Sequence, residues 1–176
     1  MIEKLKKCSW LLVGLCLVIF LFGCDSSGGS DDSDDLTTDP YPSISVEPYL
    51  PTEFSTLTVS AKYKKLDLEY KTISGTKYVK KDLEVIYLFD DSSWVKTESK
   101  IYVNTSTNAK DDSKSVQVPE EKGTYTLTGT VTDGSGTLST THDWENGAWI
   151  VDPDSETFTI SGGSLKEGTD TFTKFD

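Results

Sequence analysis

Residues able to do chemistry are few in this chain, and their spacing argues against catalysis. The single histidine, His142, stands beside Asp143; neighbours on a strand point to opposite faces, so adjacency alone builds no acid–base dyad. No Gly-x-Ser-x-Gly elbow, phosphate-binding glycine loop or histidine-based metal motif occurs. Asp152-Pro153-Asp154-Ser155-Glu156 offers oxygen ligands to a hard cation, yet its proline and its place between strand-like stretches read better as a solvated turn. Carboxylate pairs for glycoside hydrolysis are spaced by the fold rather than the sequence. The expectation is therefore no catalytic centre, no metal and no cofactor. Trp144-Glu145-Asn146-Gly147-Ala148-Trp149 carries the most specific local signal. Asn-Gly favours a type I′ hairpin turn, which sets Glu145 against Ala148 and Trp144 against Trp149. Such an aromatic pair either plugs the end of the core or forms a platform, with Trp94 as a third member, for an apolar or planar ligand or a partner protein.

One further reactive group is the thiol of Cys24. A charged start (Glu3, Lys4, Lys6, Lys7) precedes an apolar run from Trp10 to Phe22, then Gly23 and the cysteine, which is the order of a secretory signal peptide. The run is about 13 residues, short of the roughly 20 needed to span a bilayer as a helix. Leu21-Phe22-Gly23-Cys24 resembles the lipobox of bacterial lipoproteins. That resemblance implies cleavage before Cys24, a diacylglycerol on its thiol and a further acyl chain, of the palmitate type, on the new N-terminus. Cys8 lies in the charged region and Cys16 follows the bulky Leu15, so neither suits the site. Several acyl chains together make such an anchor effectively permanent.

Removal of residues 1–23 would leave Cys24 as the only thiol, so no disulfide and no cysteine metal site is available. Of 29 acids and 17 basic residues, the signal takes Glu3, Lys4, Lys6 and Lys7, leaving 28 against 14. There is no arginine. A strongly acidic chain without that planar fork is a poor partner for nucleic acid, whose affinity comes chiefly from neutralised phosphates. Anionic head groups would repel it too, so the domain should stand off the membrane that holds it.

The elements that must position these groups are strands. Residues 24–43 contain six aspartates and scarcely an apolar group; this is a solvated, disordered tether, and it lacks the glycine and terminal glutamate of an EF-hand. In the enteric sorting rule for lipoproteins an aspartate directly after the lipidated cysteine, where Asp25 stands, marks retention at the inner membrane; other bacterial groups use other rules. Residues 44–176 make one domain of period two. Leu57, Val59, Ala61 and Tyr63 alternate with polar neighbours, as do Leu66, Leu68 and Tyr70; Leu83 to Phe89 is apolar on both faces, as for a strand covered twice. Lysines between Lys62 and Lys81 alternate with carboxylates and read as a solvated strand face. Asp90 to Ser93 is a turn, Trp94 to Val103 a strand, Thr105 to Lys114 the longest loop. Tyr125, Leu127, Gly129 and Val131 share a face, and Asp133-Gly134-Ser135-Gly136 is expected to close a hairpin that sets Leu138 roughly opposite Val131. Further strands are expected around Phe158 and Ile160 and from Thr169 to Phe175, with Gly162-Gly163 between them.

Sequential antiparallel strands joined by short turns predict an all-β, up-and-down meander barrel, with a two-sheet β-sandwich as the alternative. Gly123-Thr124-Tyr125, the glycine turns and the final Thr171-Phe172-Thr173-Lys174 resemble the small lipocalin-like domains of bacterial lipoproteins over roughly residues 82–175. The function expected of that barrel is binding of a small apolar ligand, with Trp94, Trp144 and Trp149, the aromatic platform described above, as its site. The alternative is a surface or envelope interaction protein that uses loops and exposed aromatics to bind an envelope or host protein. Either way the expected setting is extracytoplasmic, lipid-anchored to the cell or outer membrane through Cys24, and monomeric.

Overall fold

The structure, a computed structural model, describes residues 36–176. Cys24, the signal peptide and the tether as far as residue 35 lie outside the described residues. A short 3₁₀ turn (Thr52–Phe54) precedes nine strands: β1 (Val59–Ile73), β2 (Thr76–Phe89), β3 (Ser93–Asn104), β4 (Ala109–Lys110), β5 (Val116–Thr130), β6 (Asp133–Glu145), β7 (Ala148–Ser161), β8 (Ser164–Glu167) and β9 (Asp170–Phe175). All pairings are antiparallel. Apart from the two-residue β4, which turns back along β3, each strand pairs with its sequence neighbour, and β9 returns to β1. The result is a closed eight-stranded up-and-down barrel, the meander expected, rather than a Greek-key sandwich.

Alternation explains which side chains meet inside. Ala61 and Tyr63 from β1, Ile86 and Leu88 from β2, and Trp94 from β3 join Leu138, Phe158, Ile160, Leu165 and Phe172 in one buried cluster. Every long strand but β5 contributes a fully buried residue, and β5 adds Tyr125 and Leu127. The Tyr63 hydroxyl, buried there, donates to the Val131 carbonyl at 2.5 Å, and burial pushes its pKa up to about 12. This end of the barrel is packed solid.

A second cluster lies outside the barrel wall. Leu83, Val85, Tyr87 and Phe89 on β2 and Val95 on β3 are covered by Phe54, with Val46, Leu50 and Leu57 packed around them. Residues 36–58 thus act as a strap, so β2 is covered on both faces, as its unbroken apolar run predicts. Lys81 pins the strap: only 1% of its side chain is exposed, and its Nζ donates at 2.6 Å to Asp39 Oδ2, the Tyr41 carbonyl and the Ile44 carbonyl. Residues 36–43, expected as the end of a free tether, therefore lie against the barrel.

Two local expectations change. The β5–β6 turn is made by Val131-Thr132, because Thr130 pairs with Asp133 and Leu138 pairs with Tyr125 rather than Val131. Gly134 and Gly136 lie within β6 because its neighbours leave no room for a side chain: a Cβ on Gly136 would meet the Thr126 carbonyl and stand 2.8 Å from Phe158 Cζ. Likewise Asp152 to Glu156 is no turn between strands but part of β7, at a register shift opposite Thr140 and His142. In the Thr105 to Lys114 loop, Ala109–Lys110 folds back on Val103 and Asn104.

Candidate functional site

The Asn146-Gly147 turn forms as its sequence dictates. Both residues adopt the left-handed conformation, with φ of 51° and 84°, and the register sets Trp144 opposite Trp149. Their rings meet edge to face at 5.2 Å and 78°. Trp149 Nε1 donates to Glu53 Oε1 at 2.7 Å, and Lys122 Nζ stands 4.2 Å from its ring centroid. Trp149 packs on the outer cluster. The pair thus clasps the strap to the β6–β7 hairpin. Trp94 is not brought to it: 1% exposed, it belongs to the inner cluster, and its Nε1 reaches the Ser139 carbonyl at 3.5 Å. A platform of all three tryptophans does not form, because the inward-facing β3 position puts Trp94 on the opposite side of the wall.

The lumen beyond that apolar plug is charged, and sequence reasoning missed it. The lysine–carboxylate alternation read as a solvated face turns inward at every second residue. Lys65 Nζ lies 2.9 Å from Asp67, 3.0 Å from Asp170 and 3.6 Å from Glu84; Lys80 lies 2.7 Å from Asp82 and 3.1 Å from Glu69. Lys96, one turn of the alternation past Trp94, stands between Glu84 at 3.4 Å and Glu120 at 3.6 Å. Burial alone would lower its pKa, but Glu120, Glu84, Glu121 and Glu167 outweigh burial and hold it above the ordinary lysine range. The signal for this cluster was the polar residue at each inward position after Trp94, legible only once the facing strands are known.

Carboxylates here outnumber their cations. Burial pushes Glu120 and Glu167 up to about 7, Lys96 offsetting only part of the cost. Glu121 is raised by burial as well, although Thr140 donates to it at 3.2 Å. Asp143 is raised by burial and by Asp152, Glu145 and Asp154 nearby. A cavity of about 350 Å³ opens here, with Lys96, Glu120, Glu121 and Asp143 in its wall beside Trp144. His142 and Asp143 sit in successive register positions, opposite Lys122 and Glu121; His142 Nδ1 lies 3.0 Å from the Thr141 hydroxyl, and no hydrogen bond or ion pair joins it to Asp143 among the described residues. Chemically the cluster suits a cation: a positive group entering it would favour the ionised carboxylates and release their protons. Among the described residues, no group of three His, Cys, Asp or Glu has the geometry to hold a metal ion.

A larger cavity, about 610 Å³, lies elsewhere, on the outer wall between the strap and the β1–β9 seam, floored by Leu50, Val59, Tyr87 and Phe175 and rimmed by Lys62 and Lys174. Fold and site together define a small up-and-down barrel, solid at one end and charged at the other. Compared with protein-family models, curated proteins and solved structures, the chain matches none.

Proposed function

We propose that this chain is an envelope lipoprotein, held on the cell or outer membrane through acyl chains on Cys24, whose extracytoplasmic barrel is a binding module for another protein. The observation that carries the protein-binding reading is the division of the lumen: Trp94, Phe158 and Phe172 fill the apolar end, and Lys96 and its carboxylates occupy the rest. An apolar ligand thus has little apolar space within the barrel, whereas charged groups beside a β-hairpin suit recognition of a polar surface. One observation favours the second reading, a small apolar ligand. The outer groove has a volume ordinary for a ligand site, and it lies beside the cluster that holds Trp149.

Mass spectrometry of the native N-terminus tests the anchor: a triacylated Cys24 is expected, and an intact Met1 with an unmodified thiol would overturn it. Native mass spectrometry of the detergent-solubilised protein, with tryptophan fluorescence titrations against fatty acids and hydrophobic dyes, separates the two ligand classes. The protein is expected to be empty and indifferent. A saturable amphiphile displaced by Val59→Trp in the outer groove would move the assignment to the small-molecule reading.

A further inference from the structure

Barrel closure is confined to one end. On the β9 side, β1 is paired only over Lys62, Tyr63 and Lys64. On the β8 side, β7 is paired only from Phe158 to Ser161. Among the described residues, Ala148–Thr157 therefore has a partner, β6, along one side alone, and both faces of Val151 to Thr157 are exposed. We propose that this unpaired edge of β7 is a strand-addition site for an extended, lysine- or arginine-bearing segment of a partner protein, which enters the lateral gap between β7 and β1 and turns its basic side chains toward the lumen. The proposal rests on the protein-binding reading above and names the surface and the partner's chemistry.

Three features argue for that occupant. The first is backbone direction. Ser161 and Ser164 flank the Gly162-Gly163 turn, and Glu145 and Ala148 flank Asn146-Gly147; residues flanking such two-residue turns form hydrogen-bonded pairs. Counting from either end, even-numbered residues of β7 face β6, and Trp149, Val151, Pro153, Ser155 and Thr157 aim their backbone groups at the gap. Pro153 lacks only a donor that β6 would not have used. Ser155 N–H bonds its neighbour's carboxylate, Asp154 Oδ1, at 2.7 Å in place of a strand.

The second feature is what guards the other edge. Leu36 N–H donates to the Leu68 carbonyl at 2.9 Å, so the strap already meets the free edge of β1 at that residue, whereas no backbone bond reaches the gap-facing side of β7 among the described residues. The third is charge. Asp152, Asp154 and Glu156 share the inward parity of Phe158, and with Glu121, Asp143 and Glu167 they form a wall with no ion pair among the described residues. A strand beside β7 would set every second side chain directly across from that wall, where opposite charges attract and like charges repel. The main chain would supply affinity and the alternate basic side chains specificity, as in other strand additions.

The test uses the full-length protein in detergent and a capped nine-residue peptide of alternating lysine and threonine. Saturable binding is expected, with protection of the Trp149, Val151 and Thr157 amides from hydrogen exchange. A peptide with glutamate for lysine should not bind. One carrying N-methyl groups on alternate amides keeps its charge but loses the ladder, and should bind at least tenfold more weakly. Val151→Pro, which removes only a gap-facing donor, and the pair D154K and E156K should each weaken binding tenfold or more without shifting the melting temperature by more than a few degrees. Equal affinity of the methylated and plain peptides, loss of binding on neutralising only the tether aspartates, or spermidine or calcium competing with no amide protected would each overturn strand addition. These outcomes leave the ligand screen of the preceding section untouched. An amphiphile found there would sink the protein-binding reading whatever the peptide does.

Discussion

Lys81→Met isolates the contribution of the strap. Lys81 projects from the outer face of β2 between Val79 and Leu83, and each of its three ammonium protons has one acceptor on the strap. Methionine matches the length of the stem and leaves its packing largely in place, so the change removes chiefly the charge and three hydrogen bonds. Removing one partner of a buried ion pair costs about 3–5 kcal/mol. Asp39 keeps 24% of its side chain exposed and can rehydrate, so the loss should fall nearer about 2–3 kcal/mol. For a domain of this size that lowers the melting temperature by roughly 6–10 °C. Urea unfolding gives the free energy, and hydrogen exchange locates it: strap amides between Tyr41 and Phe54 should exchange much faster, while the inner strands around Tyr63 and Leu138 stay protected. Asp39→Asn should cost about 1 kcal/mol, and the double variant less than the sum of the two, because the residues share one interaction. A loss below about 0.5 kcal/mol, or strap exchange unchanged from wild type, would refute the claim that Lys81 holds the strap.

Stability should fall as pH rises from about 5 to 8. Glu120 and Glu167 carry pKa values raised from 4.5 to about 7, so the folded state keeps protons that the unfolded chain has released, and their stabilising contribution, full below pH 4.5, is lost through pH 7. Urea midpoints across that range measure the slope, and Glu167→Gln should flatten it; a slope of opposite sign would sink the assignment. Trp149→Phe should cost about 1 kcal/mol through the lost Nε1 bond to Glu53, and Trp149→Ala about 2–3 kcal/mol with the edge-to-face pair gone as well, read by thermal unfolding. Gly136→Ala should abolish the native near-ultraviolet circular dichroism or lower the melting temperature by more than 10 °C, in line with about 3 kcal/mol of overpacking, because the backbone of β5 and the Phe158 ring must both move.

Local chemistry was legible in the sequence. The Asn146-Gly147 pair determined its turn and through it the Trp144–Trp149 register, since only residues tolerant of positive φ suit both turn positions. Period-two alternation determined strands, and the apolar run of β2 announced a strand covered on both faces. The fold class followed from the order of those strands and their short connections. Lysine–carboxylate alternation along β1 and β2 was visible too, but its direction was not: alternation says that successive residues face opposite ways, never which way is in. Only the register of eight strands around a closed circuit put Lys65, Lys80 and Lys96 in the lumen and Lys81 outside under the strap. The same register separated Trp94 from the hairpin tryptophans, made Asp152 to Glu156 part of β7, with Asp152, Asp154 and Glu156 on its inner face, rather than a turn, and explained Gly136 by the backbone of a neighbouring strand. Strand length decided the rest. Because β8 and β9 are short, closure reaches only part of β1 and β7, and the free edge beside the acidic wall is a consequence of pairing between distant segments, which no local pattern encodes.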